Sequence, residues 1–317
     1  MLVVHDPRTL AHAVPPGFPE RPERVSRLVQ ALAVDPRFEL REGRGASSDE
    51  AALAAVETVH DAGYVERFRR AVARGDGLLD SADNPLSAGT FDAALAAARA
   101  TLVALEHVLA HGAAAFAAVR PPGHHAERAQ AMGFCYFNHA AVAAERALSA
   151  AGCERVAIVD VDVHHGNGTQ HLFEARADVL YASAHQYPFY PGTGAAGERG
   201  RGAGAGLTVN VPLAAGGGDD EWLAALDGTI LPAVERFAPE LLVVSAGFDA
   251  WRGDPVGGMR VSEAGFAAMG RRLGELAERR CGGRRLLLLE GGYDVAALPR
   301  LVRALSTGRE AEAAAAG

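Results

Sequence analysis

The sequence predicts an α/β fold, with a central, mostly parallel sheet flanked by helices, and two patterns predict it. Short apolar, β-branched runs bounded by turn residues recur along the chain, and stretches of helical spacing or alanine-rich composition lie between them. That alternation joins parallel strands through crossover helices. A length of 317 residues lies within the range of one α/β sheet, and 49% hydrophobic with 22% charged residues supplies a buried core and excludes general disorder. One domain spanning 1–317 is therefore expected.

Residues 2–4 open the strand series, and helices are expected over 22–33, 49–56, 62–74 and 91–111. A strand at 115–119 precedes a helix at 139–150, and strands follow at 155–161, 179–182 and 207–211. A helix over 219–237, a strand at 241–245, a helix over 263–279, a strand at 285–290 and a helix over 295–305 complete the series. Segments 84–90 and 192–206, rich in Gly, Pro and small residues, read as surface loops rather than interdomain linkers. No internal repeat at periods of roughly 20–50 residues appears. The low-complexity tail, taken as 308–317, is expected to be disordered.

The formal charge of −8 and the lack of a basic cluster argue against a nucleic-acid partner and slightly favour cationic substrates. All 31 basic residues are arginine, which reads as the composition of a bacterial genome. No apolar run approaches the roughly 20 residues of a membrane span, and the N-terminus has no leader pattern. A cytoplasmic chain without a membrane partner is expected. Cys135, Cys153 and Cys281 are expected to be reduced thiols, being odd in number and far apart. The sequence leaves the oligomeric state open.

Chemistry concentrates in the run Val156-Ala-Ile-Val-Asp-Val-Asp-Val-His-His-Gly-Asn-Gly, where Asp160, Asp162 and His164 alternate with apolar residues and so share one face of a strand. Two carboxylates and an imidazole at the end of an apolar strand cost several kcal/mol unless a cation compensates. The alternative is a hydrogen-bonded strand end facing solvent. Three further polar clusters directly follow expected strands: Arg120-Pro-Pro-Gly-His-His, Ala246-Gly-Phe-Asp and Gly291-Gly-Tyr-Asp. In a parallel sheet all would meet at the carboxyl edge, where ligands bind.

These stretches, with Gly133-Phe-Cys-Tyr-Phe-Asn, Arg21-Pro-Glu-Arg, Val59-His-Asp-Ala-Gly-Tyr-Val and Phe189-Tyr-Pro-Gly-Thr-Gly, resemble the histone deacetylase family over nearly the whole chain. The likeness is greatest to class II and to the bacterial deacetylase-like amidohydrolases. It implies an arginase/deacetylase-like domain with about eight strands and zinc-dependent hydrolysis of a linear acyl amide. The resemblance makes Asp162, His164 and Asp249 the ligands of one catalytic zinc, a donor set that would also accept iron(II). It makes His125 the base that deprotonates the attacking water and protonates the leaving amine, with His124 beside it. It pairs Asp160 with His124 and Asn167 with His125; class I enzymes carry aspartate at the latter place, so His125 is expected to be the weaker base. Tyr293 would donate to the substrate carbonyl and the oxyanion.

The same resemblance places Phe134 and Tyr190 on the tunnel walls, the latter replacing a customary phenylalanine, with Gly133, Gly292 and Val256 also lining the substrate path and Asp83 at its rim. Asp160, Asp162, His164, Ser183 and Ala184 match a structural potassium site. Phe173, Arg176 and Val179 match parts of a second such site. A binuclear ureohydrolase is disfavoured, because Gly166 and Trp251 stand where its second metal needs aspartates. A non-catalytic acyl-binding module would lose Tyr293 or a metal ligand, and none is lost. Acetyl-lysine in a protein or peptide is the expected substrate. Acetylated polyamines or other small acylamines are the alternative, disfavoured by apolar Val256 where polyamine enzymes carry an acid.

Overall fold

Eight strands, β1 (Leu2–His5), β2 (Glu39–Glu42), β3 (Ala114–Ala118), β4 (Val156–Asp160), β5 (Val179–Gln186), β6 (Thr208–Leu213), β7 (Leu241–Ala246) and β8 (Arg285–Leu289), form one sheet. Their order is β2-β1-β3-β8-β7-β4-β5-β6, and every neighbouring pair is parallel. The computed structural model describes residues 1–43, 48–149 and 153–309.

The inner strands read as unbroken apolar runs because both faces are covered. Val159, Val244 and Leu287 point to one face and pack with α1 (Glu23–Ala33), α7 (Asp219–Ala225), α8 (Leu231–Phe237), α9 (Glu263–Cys281) and α10 (Leu298–Thr307). Ile158, Val243 and Leu288 point to the other, against α2 (Asp49–Val59), α3 (Ala62–Arg74), α4 (Thr90–His111) and α5 (His139–Ser149). One further helix, α6 (Asn167–Phe173), follows β4.

Seven strands fall where the apolar runs predict them. The eighth, β2, is the sheet's edge, where Glu39-Leu-Arg-Glu pairs on one side only and stays largely exposed. An edge strand of alternating charge carries no apolar signal. The helix expected over 219–237 is interrupted by a π-helical stretch at Leu226–Ile230 that separates α7 from α8. The expected loop at 84–90 ends one residue early, since Thr90 opens α4. Gly308, buried at φ 68°, caps α10, so the disorder expected from 308 does not begin there; 310–317 lie outside the described residues.

The expectation of no membrane-length apolar segment also needs correction. Helix α4, 22 residues long, is apolar enough to cross a membrane, but 78% of its apolar stretch is buried within the protein. Cys135, Cys153 and Cys281 are free and buried.

Candidate active site

Strands β3, β8, β7 and β4 are consecutive in the sheet, and the polar segments that follow them converge beyond one edge. Asp160 closes β4, and the chain beyond it carries Asp162 and His164 inward. Asp249 follows β7, and Tyr293 follows β8. The tandem histidines His124 and His125 come from the turn after β3.

One ligand atom from each of Asp162, His164 and Asp249 lies within 4.8 Å of the others, and all three residues are buried. His164 Nδ1 stands 3.0 Å from Asp162 Oδ1 and 3.2 Å from Asp249 Oδ2. The backbone fixes the far oxygens: Gly291 N–H donates to Asp162 Oδ2 at 2.8 Å and Val163 N–H to Asp249 Oδ1 at 2.9 Å. Gly291 permits this close approach, because a Cβ there would lie 2.0 Å from Asp249 Oδ2. Asp249 Oδ2 itself has no hydrogen-bond donor in good geometry.

Burial disfavours charge on His164, yet its contacts with Asp162 and Asp249 prevail and push it up to about 10. Burial and the Asp162 charge push Asp249 up to about 7. An imidazolium clamped between two buried carboxylates is the chain's own substitute for a cation. Two carboxylate oxygens and one imidazole nitrogen, one oxygen orphaned, fit a divalent ion of borderline character. Gly166 and Trp251 add no carboxylate to the trio, and the Trp251 indole donates instead to Asp294 Oδ2 at 3.2 Å.

The two histidines have different partners. His124 Nδ1 lies 3.0 Å from Asp160 Oδ2, and although burial disfavours its charge, Asp160 and Asp162 push it up to about 10. His125 Nδ1 faces Asn167 Oδ1 at 2.7 Å. Burial and the charges on His124 and His164 hold His125 well below its ordinary value, leaving it neutral. A charged and a neutral imidazole thus sit with ring centroids 4.0 Å apart.

Sequence reasoning missed the groups that hold this arrangement from behind. Glu290 Oε2 accepts from the backbone N–H of Gly123 at 2.7 Å and of His124 at 3.1 Å, and burial pushes the carboxyl up to about 7. Arg24 lies 4.8 Å over the Tyr293 ring, donates to the Gly292 carbonyl at 2.7 Å and also bonds the Glu290 carbonyl. Glu20 in turn receives Arg24 and a forked pair from Arg120. Arg24 and Arg120 stand in the motifs above and Glu20 does not; the set is held together by contacts up to 268 residues apart in sequence. Among the described residues the Tyr293 hydroxyl has no hydrogen-bond partner. Burial raises its pKa well above the ordinary phenol value, so it remains a donor.

A pocket of about 230 Å³ leads to this point, lined by Asp83, His125, Gly133, Phe134, His164, Phe189, Tyr190, Val256 and Tyr293. Of these, all but Phe189 were singled out from the sequence as tunnel wall, rim acid, metal ligand, catalytic histidine or phenol. Phe189 was missed, although it stacks on His164 with centroids 5.2 Å apart. Gly133 turns at φ 58° against His125, and Phe134 follows at φ 66°, a conformation costly for a side chain. At the mouth Tyr190 Oη donates to Asp83 Oδ2 at 3.0 Å, and Gly133 N–H donates to the same oxygen at 3.2 Å. The rim acid is thus tied to both walls. Gly292 is not among the lining residues; its carbonyl is held by Arg24.

Of the residues matched to cation sites, Asp160 and Ser183 are register partners on β4 and β5. Ser183 Oγ lies 2.9 Å from His185 Nδ1, and Ala184 is buried. Phe173 ends α6, Val179 begins β5, and Arg176 carries an ion pair with Asp178 and another with Glu145.

The sequence pattern of the histone deacetylase domain matches residues 18–308. A histone deacetylase-like amidohydrolase of Pseudomonas aeruginosa is 41% identical over 298 residues, covering 93% of this chain and 76% of that one. The crystal structure of an acetylpolyamine aminohydrolase from Burkholderia pseudomallei superposes with a TM-score of 0.86 at 34% identity, covering 97% and 98% of the two chains. The HDA15 HD domain superposes at 0.87 with 38% identity, covering 96% and 88%.

Proposed function

Because this chain belongs to the histone deacetylase family, we propose that it hydrolyses N-acetyl-lysine side chains in proteins or peptides by zinc-assisted attack of water on the amide. The observation that carries this reading is one pocket lined by the neutral imidazole of His125, the phenol of Tyr293 and the His164 ring, whose Nδ1 lies beside the buried carboxylates of Asp162 and Asp249. Bound by Asp162, His164 and Asp249, zinc, or iron(II) in its place, supplies Lewis acidity to the carbonyl and acidifies the attacking water.

His125 accepts the water's proton at Nε2, its Nδ1 being engaged by Asn167. The Tyr293 hydroxyl donates to the carbonyl oxygen and holds it more strongly as negative charge develops. The proton on His125 then passes to the nitrogen as the C–N bond breaks. His124, charged beside Asp160, adds positive potential to the site. Phe134 and Tyr190 exclude water along the stem of the substrate. Asp160, Asp162, His164, Ser183 and Ala184 would hold a structural potassium ion, mainly through their backbone oxygens.

A second reading is supported by Asp83. As the acid at the mouth it could draw the ammonium of an acetylated polyamine or other small acylamine, a class named in the Burkholderia structure. Val256, an apolar lining residue of the same pocket, supports the lysine substrate over it. Competition among an acetyl-lysine peptide, an acetylated polyamine and a longer acyl-lysine, on protein of measured zinc content, decides between them. The peptide is expected to have the highest kcat/KM. Zinc-loaded protein inert to every short acyl amide would leave a binding module.

A further inference from the structure

The two ends of the Asn167 side-chain amide have nearly the same shape, so their partners decide which way it faces. Its Nδ2 donates to Glu127 Oε1 at 2.6 Å and approaches Met132 Sδ at 3.2 Å, while its Oδ1 faces His125 Nδ1 at 2.7 Å. A carboxylate can only accept. Glu127 therefore turns the nitrogen end towards itself and the oxygen end towards His125.

An oxygen against His125 Nδ1 requires the ring proton on that nitrogen and leaves the lone pair on Nε2. The reversed amide would put an N–H against Nδ1 and move the ring proton to Nε2, leaving no lone pair there. The same Glu127 oxygen also accepts from His171 Nδ1 at 2.8 Å, on the exposed side of α6, which holds the carboxylate in place from outside. Glu127 does not line the pocket.

The geometry points to Glu127 as a positioning residue that sets the tautomer of His125 through the Asn167 amide. This rests on His125 acting as the base in the deacetylase reading. In a catalytic triad the wrong histidine tautomer costs about 10⁴-fold in rate, so the orientation of one amide has large consequences.

The test exchanges donors for acceptors. Glu127→Lys, a pure donor, reverses the amide and is expected to lower kcat at least ~10-fold with KM within about twofold. Glu127→Gln keeps an acceptor and loses less. Asn167→Asp alone also loses activity, because two carboxylates then stand at contact distance. The double variant Glu127→Lys/Asn167→Asp presents an acceptor to His125 and pairs a cation with the carboxylate introduced beside it, and recovers beyond Glu127→Lys. Wild-type kcat in Glu127→Lys, or a double variant no better than that single one, overturns the assignment. Should Glu127→Lys fail to fold, ¹⁵N-histidine spectra of the wild type decide: a proton on His125 Nδ1 is expected, and one on Nε2 overturns it. A wild type without turnover but with the Nδ1 proton would count against the deacetylase reading alone.

Discussion

The Tyr293 hydroxyl is a donor with no acceptor among the described residues, and its ring is held between Phe134 and Arg24. Tyr293→Phe keeps that packing and removes only the donor. Its kcat is expected to fall at least ~10-fold with zinc content unchanged; equal turnover would remove the phenol from the chemistry. At the tandem histidines, His125→Ala is expected to be more damaging than His124→Ala, since a general base contributes about 10²–10⁴-fold. Single-turnover rates of the two variants check the order, and a reversed order would make His124 the base. Asp162 and His164 were legible in the sequence because alternation with apolar residues is a local pattern, although the strand itself stops at Asp160; Asp249 stood out in a polar cluster after a strand, and the set of three came from the family resemblance. The Tyr190–Asp83 bridge and the Glu127 contact were not, because they join segments 107 and 40 residues apart.

At the scale of elements, the turn after β8 packs directly against the trio. Gly291 N–H holds Asp162, and the space for a Cβ at 291 is already filled by the carboxylates of Asp249 and Asp162. Gly291→Ala is expected to displace the trio, lowering stability by about 1–3 kcal/mol and zinc stoichiometry with it. Metal analysis beside thermal melts tests this, and a fully loaded variant of unchanged Tm refutes it. The inner strands were legible because burial on both faces leaves an apolar run. Strand β2 and the π-helical break between α7 and α8 were not. The first is stabilised by β1 rather than by its own composition, and the second lies inside a continuous apolar periodicity.

Across the whole molecule, buried neutral histidines set the response to acid. Burial holds His60 and His139 each down to about 4, from an ordinary 6.5. Between those values the unfolded chain binds protons the folded chain refuses, so stability falls as pH drops from about 6.5 and levels near 4. At pH 5 each histidine costs about 2 kcal/mol. Glu20 acts in a lower window: burial opposes its charge, but Arg120 and Arg24 hold it down to about 2, so its contribution is present above 4.5 and lost between 4.5 and 2. Urea midpoints should therefore decline from pH 7 to 5, before most carboxylates titrate, and His139→Gln should flatten the decline. A midpoint constant over that range would contradict the assignment.

Strand β8 lies between β3 and β7 although it follows the other seven strands in the chain. Without residues 285–289 the strand order falls into two half-sheets, β2-β1-β3 and β7-β4-β5-β6, each with an edge that only β8 covers. The trio belongs entirely to the second half, since Asp162 and His164 follow β4 and Asp249 follows β7, whereas His124 and His125 follow β3. The trio thus lies in one half-sheet and the tandem histidines in the other, with the phenol on the strand that joins them. Insertion of this one strand joins the halves, closes the edges between them and brings Tyr293 to the trio, so histidines, phenol and trio meet only once β8 is in place.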